Sequence, residues 1–329
     1  MEILLSLLPV VLFLAFLFLL DSFKLVFPGI LVFVLLWGVV AAGIAYLLNG
    51  ALLSALWPDF QFYSRYVAPV IEELLKSLII FYLLRRRKIG FLIDAAIYGF
   101  AVGTGFSLVE NGFYLMNAAE NSLLIWVVRG LGTALMHGGC TALLAVVLTG
   151  AKQLDKQVVV RQVVGFLLVV VIHSAFNHFL MNPLLQTIGM IVLLPLLFVL
   201  IFRMNERQLQ HWLEIEFSTE VELLQMLRKG QFLGTKAGEY LASLKNRFAP
   251  DVLLDMYCYF SLYLELSIKA KRNLMFRENG FPIPVEPEVK DQLAELKALR
   301  KNIGKAGELT LSPLIRMSYR DLWKLNLLA

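Results

Sequence analysis

Apolar residues dominate the first 202 positions in seven blocks, separated by short polar or charged breaks except for the longer stretch 49–65. The blocks cover residues 3–20, 25–48, 66–84, 91–117, 123–149, 158–180 and 184–202. Crossing a hydrocarbon layer of about 30 Å takes roughly 17–25 helical residues, and every block is long enough. The pattern predicts an all-α, polytopic membrane helix bundle of about seven transmembrane helices. Residues 3–20 read as the first of these rather than as a cleaved leader, because Glu2 precedes them and Asp21-Ser22-Phe23-Lys24 follows. Residues 49–65, with Trp57, Phe60, Phe62 and Tyr63, read as an aromatic stretch at the membrane interface.

From Arg203 onward the pattern changes to amphipathic periodicity with soluble punctuation. Thr219 with Glu222 fits a capping box, and Gly230 fits a helix stop. Pro250 opens a segment that ends near Gly280, and Pro282, Pro284 and Pro287 form a stiff linker. Residues 288–303 and 313–328 read as two further helices. The chain therefore divides into a transmembrane bundle, 1–202, and a C-terminal soluble helical domain, 203–329. The second part shows no catalytic motif. Its role is not legible, and it leaves room for a cytoplasmic partner.

Composition agrees with the pattern. The chain is 59% hydrophobic with a mean hydropathy of +0.72, against about 45–50% apolar residues in a soluble domain. Cys140 and Cys258 are the only cysteines, so there is neither a disulfide framework nor a CxxC metal spacing. Charge then orients the bundle. Lys24, the run Arg85-Arg86-Arg87-Lys88, Lys152 with Lys156, and Arg203 with Arg207 fall on one side, whereas the opposite loops offer Arg65. The positive-inside rule makes the basic side cytoplasmic, with the N-terminus outside and the tail inside. The basic run is a topology determinant in contact with the lipid bilayer, and no nucleic acid is expected as a partner.

Ionisable groups inside the apolar blocks carry the candidate chemistry. Glu72, Glu73 and Lys76 lie in the third block, where each charge costs about 2.5–3.5 kcal/mol on insertion scales. With a rise of about 1.5 Å per residue, Glu72 and Glu110 fall roughly 9–10 Å below the outer end of their helices. Arg129 and His173 come out at similar depths, and His137 is about two turns deeper than Arg129. Four helices thus place polar groups in one layer. Glu72 with Lys76, and His173 with Asn177, are i,i+4 pairs that share a helix face. Gly99, Gly103 and Gly105 permit close helix approach before Glu110. A carboxylate in such a site can take a proton from water attacking a peptide carbonyl, while an imidazole and an amide stabilise the oxyanion. Asp94, near the cytoplasmic end, reads at least as well as a helix cap as it does as a catalytic group. His178, His211 and Cys140 read as ordinary structural residues.

The series Glu72-Glu73-x-x-Lys76, Phe106-x-x-x-Glu110-Asn111 and His173-x-x-x-Asn177 resembles the motifs of the PrsW family of glutamic-type intramembrane proteases. That family is distantly related to CAAX prenyl proteases and bacteriocin-processing membrane proteins. Asp94, Tyr98 and the glycines through Gly105 fit its fourth-helix pattern, and the likeness covers about residues 69–182. The resemblance implies an intramembrane endopeptidase in the bacterial inner membrane that acts on membrane-anchored proteins, with anti-sigma factors of stress signalling among them. It implies Glu72 as the base, Glu73 assisting, and His173 with Asn177 as the oxyanion site. Glu110 occupies a position that is His in the CAAX relatives. Lys76, Arg129 and His137 would support these groups, with no metal and no cofactor. Three alternatives stand beside it. One is a zinc protease using Glu73, Glu110, His137 and His173, without an HExxH motif. Another is a proton-coupled transporter or receptor-like protein that uses the polar layer as a relay. The last is a non-catalytic scaffold.

Overall fold

The computed structural model describes residues 1–21, 24–56, 59–117, 122–154, 158–284, 286–315 and 328, without the side chains of 152–154, 208–216 and 246. Every regular element among the described residues is helical. The chain falls into two compact units, Met1–Asn205 and Glu206–Ala329.

The first unit is built from α1 (Glu2–Leu19), α2 (Pro28–Ala55), α3 (Ala68–Arg85), α4 (Leu92–Asn117), α5 (Leu123–Val127), α6 (Ala134–Leu154) and α7 (Val158–Asn177). It also contains the first part of α8 (Pro183–Arg228). Two π-helical turns interrupt this series, Tyr63–Val67 before α3 and Val128–Thr133 between α5 and α6. Six described helical stretches are long and apolar enough to cross a membrane: Glu2–Leu19, Pro28–Ala55, Leu92–Asn117, Leu123–Ala151, Val158–Asn177 and Pro183–Arg207. α3 has 18 residues but carries Glu72, Glu73, Lys76 and Arg85.

Helix α4 is the hub. Its apolar stretch is 89% buried, against 17–28% for α1, α2, α7 and the membrane part of α8, whose apolar side chains face outward. Glycines make this centre possible. A Cβ on Gly103 would lie 2.3 Å from the carbonyl oxygen of His137 on α6, and one on Gly105 would lie 2.0 Å from that of Leu35 on α2. Helix backbones come this close only where side chains are absent. The start of α4 is fixed by side-chain acceptors. Asp94 accepts from the backbone N–H groups of Gly90 (2.8 Å) and Phe91 (2.9 Å). Asn205 Oδ1 accepts from those of Leu92 (3.1 Å) and Ile93 (3.3 Å). Asp94 thus satisfies the donors that a helix start leaves open, and capping is its role. Helix α3 is tied to α2 by Trp37 Nε1, which donates to the Leu75 carbonyl (3.1 Å).

The second unit contains the rest of α8, then α9 (Lys236–Ser243), α10 (Pro250–Glu278) and α11 (Glu288–Leu311). Its core gathers Leu224, Leu227, Phe232, Met256, Tyr259, Phe260, Leu296 and Ile303. Thr235 caps α9 by accepting from the Gly238 N–H (3.0 Å). Gly230 and Gly280 follow α8 and α10 at φ +69° and +70°, in the left-handed region that ends helices.

Three sequence expectations change. Thr219 starts no helix, because α8 runs unbroken from Pro183 to Arg228, with neither glycine nor proline after Pro195 to stop it. Helix α11 continues past Ile303 to Leu311 with a kink at Gly304 (φ +64°). Residues 49–55, read from sequence as the start of an interfacial stretch, form the last part of helix α2. Trp57, Lys156 and most of the expected helix over 313–328 lie outside the described residues.

Candidate active site

Each polar side chain in the membrane unit is delivered by a particular local feature. The π-helical turn Tyr63–Val67 leads into α3, and α7 clasps its carbonyls: Asn177 Nδ2 donates to Ser64 O (3.0 Å) and Ser174 Oγ to Arg65 O (2.6 Å). π-Helical turns are rare and concentrate at functional sites. The second one, Val128–Thr133, holds Arg129 and leads into the helix of His137.

On α3, Lys76 Nζ lies 2.6 Å from Glu73 Oε1, and neither side chain is exposed at all. The i,i+3 spacing is used here rather than the i,i+4 pairing of Lys76 with Glu72. Glu72 instead faces a cavity, where its Oε1 accepts from Asn49 Nδ2 (3.2 Å). Glu73 Oε1 also meets His173 Nδ1 (2.8 Å), and Lys76 Nζ meets His137 Nδ1 (3.0 Å). His137 Nε2 contacts Glu110 Oε2 (2.7 Å), and Glu110 Oε1 takes an N–H of Arg129 (3.0 Å). Arg129 further donates to Asn111 Oδ1 (3.1 Å) and lies 3.4 Å over the ring of Tyr114. His173 Nε2 stands 3.7 Å from Glu72 Oε2. One polar network therefore joins five helices and a π-helical turn, consistent with the rule that buried charges survive in low dielectric when paired and hydrogen-bonded.

The cavity has a volume of about 700 Å³. Asn49, Tyr63, Glu72, Glu110, His137, His173 and Asn177 form its polar wall, and Ala42, Ala45, Leu47, Phe106 and Phe113 belong to its apolar one. Of the residues expected from sequence, Glu72, Glu110, His137, His173 and Asn177 reach the cavity. Glu73 and Lys76 sit behind it, and Arg129 holds Glu110. His178, just beyond the end of α7, contacts the Ser174 carbonyl and the ring of Tyr66. Cys140 packs with its Sγ 3.7 Å from Met136 Sδ. The side chain of His211 lies outside the described residues. Sequence reasoning missed Asn49, Tyr63 and Ser174. The one available signal was Asn49, an amide at the edge of an apolar block.

The hydrogen bonds dictate the tautomers. Glu73, ionised against Lys76, can only accept, so His173 carries its proton on Nδ1 and presents the lone pair of Nε2 towards Glu72. The Lys76 ammonium can only donate, so His137 Nδ1 accepts and Nε2–H donates to Glu110. This bears on metal binding. Ligand atoms of Glu72, His137 and His173 lie within 4.8 Å of one another, a different set from the zinc ligands expected from sequence. These two imidazoles and one carboxylate match the number and kind of protein ligands that a catalytic zinc takes. With Nε2–H turned to Glu110, His137 would have to give up that proton to join them, as metal ligands do on binding.

Compared with known proteins, residues 28–202 match a family model described as PrsW family intramembrane metalloprotease. No curated protein and no solved structure matches the chain.

Proposed function

From the PrsW family, to which this chain belongs, and hence from intramembrane proteolysis as its class of activity, we propose hydrolysis of a peptide bond by water activated between Glu72 and His173. The observation that carries this reading is the approach of Glu72 Oε2 and His173 Nε2, 3.7 Å apart on the cavity wall. A water there donates one hydrogen bond to each. As its oxygen attacks the carbonyl carbon, Glu72 takes one proton and His173 holds the other. The second amide hydrogen of Asn177 supports the oxyanion. The C–N bond then breaks, Glu72 returns its proton to the amine nitrogen, and the water oxygen stays on the new carboxyl group. Glu73 fixes the imidazole as the carboxylate of a catalytic triad does. Lys76, Arg129, His137 and Glu110 balance charge behind it.

Substrates of this reading are membrane-anchored proteins, anti-sigma factors among them, in the bacterial inner membrane. The clustering of basic loops supports a cytoplasmic tail. A metal-dependent reading rests on the family description and on the cluster of Glu72, His137 and His173. Purified protein separates the two. The carboxylate reading expects no stoichiometric metal by mass spectrometry and full cleavage in phenanthroline. One zinc per chain with strong inhibition would replace it.

A further inference from the structure

We propose that Tyr63 and Asn49 form a positioning relay that selects which oxygen of Glu72 faces the attacking water. The inference rests on the hydrolysis reading. Tyr63 Oη lies 2.9 Å from Asn49 Oδ1, and Asn49 Nδ2 lies 3.2 Å from Glu72 Oε1. The direction is set by chemistry. A carboxylate accepts, so the amide must turn its NH₂ to Glu72 and its oxygen to the phenol, which donates. Asn49 thereby occupies Oε1 and leaves Oε2 opposite His173.

The relay is anchored at its far end. Tyr63 is 2% exposed and begins the π-helical turn, whose carbonyls at Ser64 and Arg65 are held by Asn177 and Ser174. Glu72 is thus referenced to α2 through Asn49 and to α7 through the turn. Packing of α2 onto its neighbours has independent support. Trp37 bonds Leu75, and Ala41, Ala42 and Ala45 pack with Phe106. Removing the relay should therefore disturb the carboxylate and leave the fold.

The test uses full-length protein in detergent and a tagged single-span substrate, taken from the fragments that wild type releases and Glu72→Ala does not. Tyr63→Phe and Asn49→Leu are expected to lower kcat by about 10–100-fold, the scale of a displaced catalytic group, with KM within about twofold and unchanged melting temperature. The double variant is expected to lose no more than Asn49→Leu alone, because the two act in series. Trp37→Phe serves as the structural control, with lowered melting temperature and unchanged kcat. Full kcat in both relay variants, or a loss that only follows melting temperature, overturns the relay alone. Identical fragments from wild type and Glu72→Ala overturn the hydrolysis reading and the relay with it.

Discussion

Two fully buried lysines, one in each unit, show what polar groups do in different settings. Lys271 meets Glu220 at 3.1 Å, and the same carboxylate takes Ser267, so the pair joins α10 to α8 within the helical second unit. Lys76 meets Glu73 at 2.6 Å, but that pair continues into two imidazoles, two further carboxylates and a cavity. Both lysines obey the same electrostatics, since each buried charge requires an opposite one. The difference is what lies beyond the pair. The second-unit pair is bracketed by more peripheral ions: Arg272 and Lys269 on Glu286, and Lys269 on Glu265. The membrane pair sets the tautomers of His137 and His173. A buried ion pair alone therefore does not mark a site, whereas one that dictates the protonation of groups on a cavity wall does.

The largest expected effect falls on that continuation. Glu73→Ala or His173→Ala should lower cleavage by about 10²–10⁴-fold, the usual scale of general acid–base catalysis, with protein retained in the membrane, as read by substrate cleavage and immunoblot. Retained activity in both would erase the distinction between the two lysines. Next come the lysines themselves. Lys76→Met strands the fully buried Glu73 carboxylate, at about 3–5 kcal/mol, and Lys271→Met costs less because Glu220 is partly exposed and keeps Ser267. Denaturation should register both, whereas cleavage per folded molecule should fall only for Lys76→Met. Gly103→Val is expected to cost about 1–3 kcal/mol by overpacking, and to lower activity because it pushes on the backbone of His137.

The smallest effect belongs to the surface ions. Hydrogen bonds from Arg272 and Lys269 hold the Glu286 carboxyl below its ordinary range. Its contribution is then present above the ordinary value and fades as pH falls through the lowered one. Glu286→Gln should cost under about 1 kcal/mol, and salt should shrink the difference in melting temperature.

Much of the bundle was legible because lipid imposes long apolar runs, and because charges within such runs are conspicuous. Glu72, Glu73, Glu110 and His173 stood out for that reason, and the glycines of α4 announced its close packing. Tyr63 and Asn49 did not. A tyrosine and an asparagine near a membrane boundary look interfacial, and only the π-helical turn brings the phenol onto the amide. No sequence period encodes a single π-helical turn. The partner of Lys76 was equally hidden, since i,i+3 and i,i+4 are both neighbours on a helix and His173 on another helix decides between them. In the tail, Thr219 and Glu222 matched a cap locally, but helix α8 was already under way.

The most direct measurement is quantitative proteomics of membrane-protein fragments from cells that express wild type, Glu72→Gln or Lys271→Met at equal levels. The account expects a set of fragments that is released by wild type, persists with Lys271→Met and vanishes with Glu72→Gln. The same fragments from all three would contradict it.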